Sequence, residues 1–465
     1  MNARGRIHPG GPPAQARGST LVIVLWIALG LVSLGLYFGQ SSALALRASD
    51  QRAASLEAEQ AIQGATCYAA YVLTNLDTPG VLPQFQIAPS FRPVTENVRV
   101  GDSAFWFLGR DPDLLASTPG RNVQPVFGLV DEASKLNLNT ATLEMLEALP
   151  RMTPQLAAAI IDWRDENDEV STDGAEDTTY QRLNPAYRCK NAPFESVEEL
   201  RLVYGMTLDI LAGEDSNRNG ILDPNEDDYD STPPLDNRNG RLEPGLWEYV
   251  TVHSQESLTT TNGAAKVSLG AQGRQQLATL LQERFGNQRA NEILRRVGNQ
   301  NPAGLLNFFV QSGMSVEEFA QVEGDLTAGD GQTPQQGLIN VNSAPEAVLA
   351  CVPGIGTDMA PQLVSYRQSN LSRRNTVAWV AEILGTQRSQ QAGRYLTGRS
   401  AVYSADVCAV GHVGRGFRRC RMIFDASEGG LRIVQRTDGS HLGWSLGSRT
   451  WQQIQQQRQL TQNTR

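Results

Sequence analysis

The sequence predicts an α+β chain in which a long N-terminal helix carries an antiparallel sheet and a large α-helical domain is inserted into that sheet. Three observations predict this. An uncharged apolar run opening at Ser19 passes without a break into an amphipathic stretch. Segments rich in β-branched and aromatic residues flank a long acid-rich block with helical spacing. Within that block one unit occurs twice in the same order. The 465 residues are 40% hydrophobic and 19% charged, the balance of an ordinary folded protein that is not polytopic in a membrane.

The first element is the helix. Residues 1–18 are polar, rich in Gly and Pro, and basic through Arg4, Arg6 and Arg17. From Ser19 to Phe38 there is no charged side chain, and about 20 such residues cross a bilayer. The arginines hold their end in the cytoplasm, so the rest of the chain faces outward. A removable secretory signal competes with this reading, since Ser41-Ser42-Ala43 could serve as its cleavage site. Yet small and apolar residues continue at helical spacing to Leu76, with no Gly or Pro between Leu44 and Gly64. An apolar half followed by an amphipathic half makes a transmembrane stalk over residues 19–76.

The sheet is expected at 77–130 and 395–450. Its candidate strands are Asn97–Val100, Ala104–Leu108, Val123–Val130, Ser400–Tyr403, Phe417–Phe424 and Leu431–Gln435. Residues 131–394 form the inserted α-helical domain, and the Gln-rich tail 451–465 reads as disordered. Inside the insert Asn137 aligns with Asn340, Asn139 with Asn342, Leu146 with Leu349, Pro150 with Pro353 and Arg164 with Arg367. Each unit is a short extended entry, a helix, a turn and a second helix, resembling a helix-hairpin-helix. In the second copy Ser343 and Glu346 stand at capping-box spacing. Helix-hairpin-helix units can offer turn amides to phosphate, which makes a membrane-anchored nucleic-acid receptor the alternative reading. A net charge of −9 and Asp358 beside the second turn argue against nucleic acid.

The leader ending in Gly18 before an apolar helix resembles the class III signal of type IV pilins and pseudopilins. The resemblance implies that a prepilin peptidase cuts between Gly18 and Ser19 and methylates the new N-terminus. Ile23 stands where the major subunits of that family carry a glutamate, and the minor pseudopilin K of type II secretion systems also lacks that glutamate. Asp173–Tyr180 and Asn191–Arg201 stand at a spacing that looks like the same family. The resemblance implies a pseudopilin fold and a place at the tip of the type II secretion pseudopilus. It also implies capping of the fibre in support of protein export, beside minor pseudopilins I and J and the other subunits. The protein would sit single-pass in the inner membrane with its head in the periplasm.

No catalytic constellation accompanies these features, and a non-enzymatic role follows. Gly443-Trp444-Ser445-Leu446-Gly447 matches a nucleophile-elbow pattern, but no Asp, Glu or His follows Ser445. The five cysteines include no CxxC. Cys408 and Cys420 flank Gly414 symmetrically, where a cross-strand disulfide and two buried thiols are both open. The sharpest site signal is Asp215–Glu226, which fills a calcium loop of the EF-hand type. Asp215, Asn217 and Asn219 supply oxygens at positions 1, 3 and 5, and Gly220 turns the chain at position 6. Ile221 offers its carbonyl at position 7, Asp223 sits at 9, and Glu226 is the bidentate carboxylate at 12. Hard oxygen donors at this spacing select Ca²⁺. Asp236–Gly240 echoes the loop, although Leu235 would occupy position 1. The family resemblance likewise implies calcium in this domain.

Overall fold

The computed structural model describes residues 19–76, 80, 82, 94–117, 125–229, 231–260 and 262–463. Gly18 and the rest of the leader lie outside them, as does most of the stretch between the stalk and residue 94. Helix α1 runs over Ser19–Thr74, 56 residues without interruption. Its first half is apolar and exposed, and it is long and apolar enough to cross a membrane. Its second half buries Ala54, Ala58, Ala61, Ala65 and Ala69 on one stripe. Alanines at that spacing let a helix lie close against a flat surface.

That surface is a sheet whose strands come from both ends of the chain. β1 (Val98–Val100), β2 (Ser103–Leu108) and β3 (Val130–Asp131) precede the helical block. Within the block lie β4 (Leu136–Asn137), β5 (Val250–Thr251), β6 (Val267–Ser268), β7 (Leu326–Thr327), β8 (Ile339–Asn340) and β9 (Leu396–Thr397). β10 (Val402–Val410), β11 (Arg418–Asp425) and β12 (Arg432–Asp438) follow it. The large sheet has the antiparallel order β1-β2-β10-β11-β12, with β3 also pairing β10. The first strands therefore pair with strands some 300 residues later, around the intervening block.

Period-2 alternation divides the sheet into two faces. Phe105, Phe107, Tyr403, Ala405, Val407, Cys420, Met422 and Phe424 pack under α1 with Ile62 and Val72. Burying each large side chain stabilises the chain by about 2 kcal/mol. Ala104, Trp106, Leu108, Cys408 and Val410 point the other way and meet Leu446 and Ile454. The β10–β11 hairpin also grips the stalk. A Cβ at Gly416, where φ is +66°, would stand 2.3 Å from the Ala54 carbonyl carbon, so only glycine permits that approach. His412 receives Glu57 and Asp50 at its two ring nitrogens, 2.7 and 2.9 Å away.

Three short parallel pairs organise the block: β4 with β5, β6 with β7 and β8 with β9. In each, the second strand ends on a threonine whose hydroxyl accepts the N–H two residues on: Thr251 from His253, Thr327 from Gly329, Thr397 from Arg399. The first and third pairs begin the two units that the sequence aligns. Arg164 donates to the carbonyls of Leu138 and Ala141. Arg367 donates to those of Val341 and Ala344, 2.9 and 2.5 Å away. The second pair has the same strand plan, although no sequence repeat announces it.

Two expectations need correction. The tail expected to be disordered is helical over Gly447–Asn463, because Ile454 buries against the sheet's far face. Trp451 also packs edge-on against Trp444. The helix Glu346–Ala350 is not opened by a Ser343–Glu346 capping box. Ser343 instead donates to Asp131 at 2.5 Å, and Asp113 accepts the Glu346 N–H at 2.9 Å.

Candidate metal centre

The helix Leu208–Ala212 ends at Gly213, whose φ of +65° turns the chain into the segment from Asp215 to Glu226. Every residue expected there as a ligand lies on one tight turn. Asp215 Oδ1 accepts the Asn219 N–H at 2.8 Å and Oδ2 the Gly220 N–H at 2.9 Å. Asn219 Oδ1 accepts from the Ile221 N–H at 2.7 Å. The side-chain amides of Asn217 and Asn219 both donate to Asp223 Oδ2, at 2.7 and 2.8 Å. Glu226 closes the loop: Oε2 accepts from the Asp223 N–H and Oε1 from the Ser216 N–H and hydroxyl. Gly220 has a φ of +70°, which the sharp turn requires. Ile221, whose carbonyl is expected at position 7, buries its side chain.

The electrostatics are those of crowded carboxylates. Glu226 is fully buried, and burial, with the charges of Asp215 and Asp223, pushes its carboxyl up to about 8. Burial also raises Asp215, with Arg110 opposing the rise. Asn217 Oδ1 is buried without a hydrogen-bond partner. Such a set repels itself and leaves a lone pair unused, and a cation bound there would relieve both. No group of three or more His, Cys, Asp or Glu side chains among the described residues is arranged to hold a metal ion. The donor set is mixed, with amide and carbonyl oxygens beside the carboxylates, which suits Ca²⁺ and not a transition metal.

The loop is fastened to the sheet by residues that the sequence reading missed. Arg419 of β11 donates to the carbonyls of Asn217 and Arg218, both at 2.6 Å, and pairs with Asp406. Arg110, just past β2, donates to the Arg218 carbonyl and stands 3.5 Å from Asp215. The Arg218 guanidinium lies 3.1 Å over the Trp247 ring and reaches Glu198 at 3.0 Å. The available signal was alternation. Cys420, Met422 and Phe424 point to α1, so Arg419 and Arg421 must point to the block.

The other candidate sites resolve differently. The Asp236–Gly240 echo is wrapped on Glu214, which accepts the Asn237 and Glu243 N–H groups at 3.2 and 2.9 Å. Ser445 accepts from Arg419 and donates to the Gly443 carbonyl. Cys420 pairs across the hairpin with Val407, and Cys408 with Arg419. The two cysteines therefore lie on opposite faces of the sheet, and both are free thiols. Of the cleavage pair, Ser19 opens α1, and Gly18 is outside the described residues.

Residues 129–213 match the family model of Type II secretion system protein K. The matched stretch contains β4 and the first hairpin, and the Asp215 loop begins two residues beyond it. Over 194 residues the chain is 28% identical to the Type II secretion system protein K of Klebsiella pneumoniae, an overlap of 41% of this chain and 59% of that protein. The chain thus spans less than two thirds of that relative's length. Among solved structures it is similar to a chain of the GspK-GspI-GspJ complex from the enterotoxigenic Escherichia coli Type 2 Secretion System. That likeness covers 87% of this chain and 98% of the other, at 13% identity and a TM-score of 0.32, too slight to bear on the fold. Residues 129–213 are thus similar to type II secretion system protein K, in keeping with the leader, stalk and paired hairpins of the sequence.

Proposed function

We propose that this protein is the minor pseudopilin at the tip of a type II secretion pseudopilus, where it caps the fibre and supports protein export. The observation that carries the reading is α1: an exposed apolar half continues as a single helix into a half buried under the sheet. A membrane anchor made rigid with its head is what a subunit needs to be drawn from the bilayer into a fibre. The apolar half sits in the inner membrane, and the sheet and helical domain sit in the periplasm. Minor pseudopilins I and J are its neighbours, and the role is non-enzymatic.

Prepilin peptidase cuts between Gly18 and Ser19, and the new amine is methylated. The sheet segments 77–130 and 395–450 form the pseudopilin head, and residues 131–394 the inserted domain. The two hairpins act there as helix-hairpin-helix packing modules: their turns carry Asp358 and no cluster of basic residues, so nucleic acid is not a partner. The loop binds Ca²⁺ through Asp215, Asn217, Asn219, the Ile221 carbonyl, Asp223 and Glu226. The ion is structural, quenching the carboxylate repulsion and pinning an irregular segment. N-terminal sequencing of membrane-extracted protein tests the assignment. A methylated start at Ser19 supports it, and a start near residue 44 overturns it. Calorimetric titration with Ca²⁺ tests the loop; a melting temperature unmoved by chelator or by Asp215→Ala would show that it holds no ion.

A further inference from the structure

We propose that Arg110 is the resident counter-ion of the Asp215 loop, which a bound cation must displace; the inference rests on the calcium reading above. The Arg110 guanidinium stands 3.5 Å from Asp215 Oδ2, 3.5 Å from Glu248 Oε1 and 4.0 Å from Asp406 Oδ2. It thereby joins a carboxylate of the loop, one of the helical block and one of the sheet. Its Nη2 donates to the Arg218 carbonyl. Its Nη1, the atom facing Asp215, is buried with no hydrogen-bond acceptor. The same atom would lie 3.2 Å from a Cβ at Gly220, the turn residue of the loop. A positive charge therefore sits beside the position-1 ligand without a directed bond to hold it there.

Two arrangements follow. Without an ion, Arg110 neutralises Asp215 and keeps the loop folded against the repulsion of Asp223 and Glu226. With an ion on the loop, like charges part, and Arg110 retains Glu248 and Asp406. The Arg218 carbonyl still has Arg419, which donates to it at 2.6 Å, so the clamp on the sheet survives the exchange. Because each cation opposes the other, the arginine weakens Ca²⁺ binding while it protects the ion-free protein. The same exchange reports ion binding to the end of β2.

The test is Ca²⁺ titration by calorimetry on the full-length protein in detergent micelles, comparing wild type, Arg110→Gln and Arg110→Lys. Removing the charge should tighten Ca²⁺ binding roughly tenfold, and Lys, which keeps it, should leave the affinity near that of wild type. Chelator should lower the melting temperature of Arg110→Gln more than that of wild type. An affinity for Arg110→Gln equal to or weaker than wild type overturns the proposal while leaving the calcium reading intact. No Ca²⁺ binding by any of the three overturns both. If Arg110→Gln is unfolded without the ion, added Ca²⁺ should refold it. Failure to refold at saturating Ca²⁺ would make Arg110 a framework clamp and overturn the proposal.

Discussion

Arg419 shows how a single buried charge can set the seat of a domain. It is 2% exposed, pairs with the half-buried Asp406 and donates to two loop carbonyls. Arg419→Met would leave Asp406 with the more distant Arg110 and Arg421 and strip both carbonyls of a donor. Urea unfolding of the full chain in micelles should show a loss of about 3 kcal/mol, since breaking a buried pair costs far more than the pair itself contributes. A loss under 1 kcal/mol would mean that the loop is held from elsewhere. Asp425 ties the block to the sheet in a second place, through Gln255, Ser427 and Arg432. Burial alone would raise its carboxyl, but those donors outweigh burial and hold it below the ordinary value. The folded value lies below the unfolded one, so its stabilisation is complete above the ordinary carboxylate range and fades as pH falls through the folded value. The melting-temperature gap between wild type and Asp425→Asn should be widest near neutral pH and close below about pH 4.

At the scale of elements, strand alternation explains both what the sequence disclosed and what it withheld. The stalk, both halves of the sheet and the paired hairpins are visible in composition and order, because helix and strand periods are local properties. The turn from Asp215 to Glu226 is also visible there, since the residues that form it are a contiguous pattern. Arg110 and Arg419 are not legible as part of it. They meet the loop only after β2 and β11 have paired through β10, and no local spacing encodes that. The β6–β7 pair was missed for a related reason, because its two-residue strands share a backbone plan with β4–β5 and β8–β9 but no side-chain motif. Alternation also decides the cysteines, since Cys408 is opposite Arg419 and Cys420 opposite Val407. Alkylation of the denatured chain without reductant should therefore modify all five cysteines. Native Cys351, whose thiol burial pushes up to about 12, should label far more slowly than the exposed Cys67. Two thiols recovered only after reduction would contradict the hairpin register.

For the whole molecule, α1 takes one face of the sheet while Arg419, Arg421 and Asp425 on the other face hold the helical block. Arg421 reaches Glu132 at 2.9 Å, and Glu132 in turn holds Lys135 and Thr251. The attachment is thus built from buried charges and directed bonds at several points, so the block moves with the head and not as a tethered bead. On the role proposed above, fibre subunits would stack through their stalks, and a mass of roughly 260 residues, the size of a domain in its own right, would obstruct the side where another subunit adds. If that obstruction is what makes the protein a cap, removing residues 131–394 and joining the remaining sheet strands through a short linker should let fibres grow past it. Electron microscopy of cells carrying the shortened protein should then show longer pseudopili in which the protein is no longer confined to the tip. Fibres unchanged in length and number, with the shortened protein recovered folded in the membrane, would assign the block to a role other than capping.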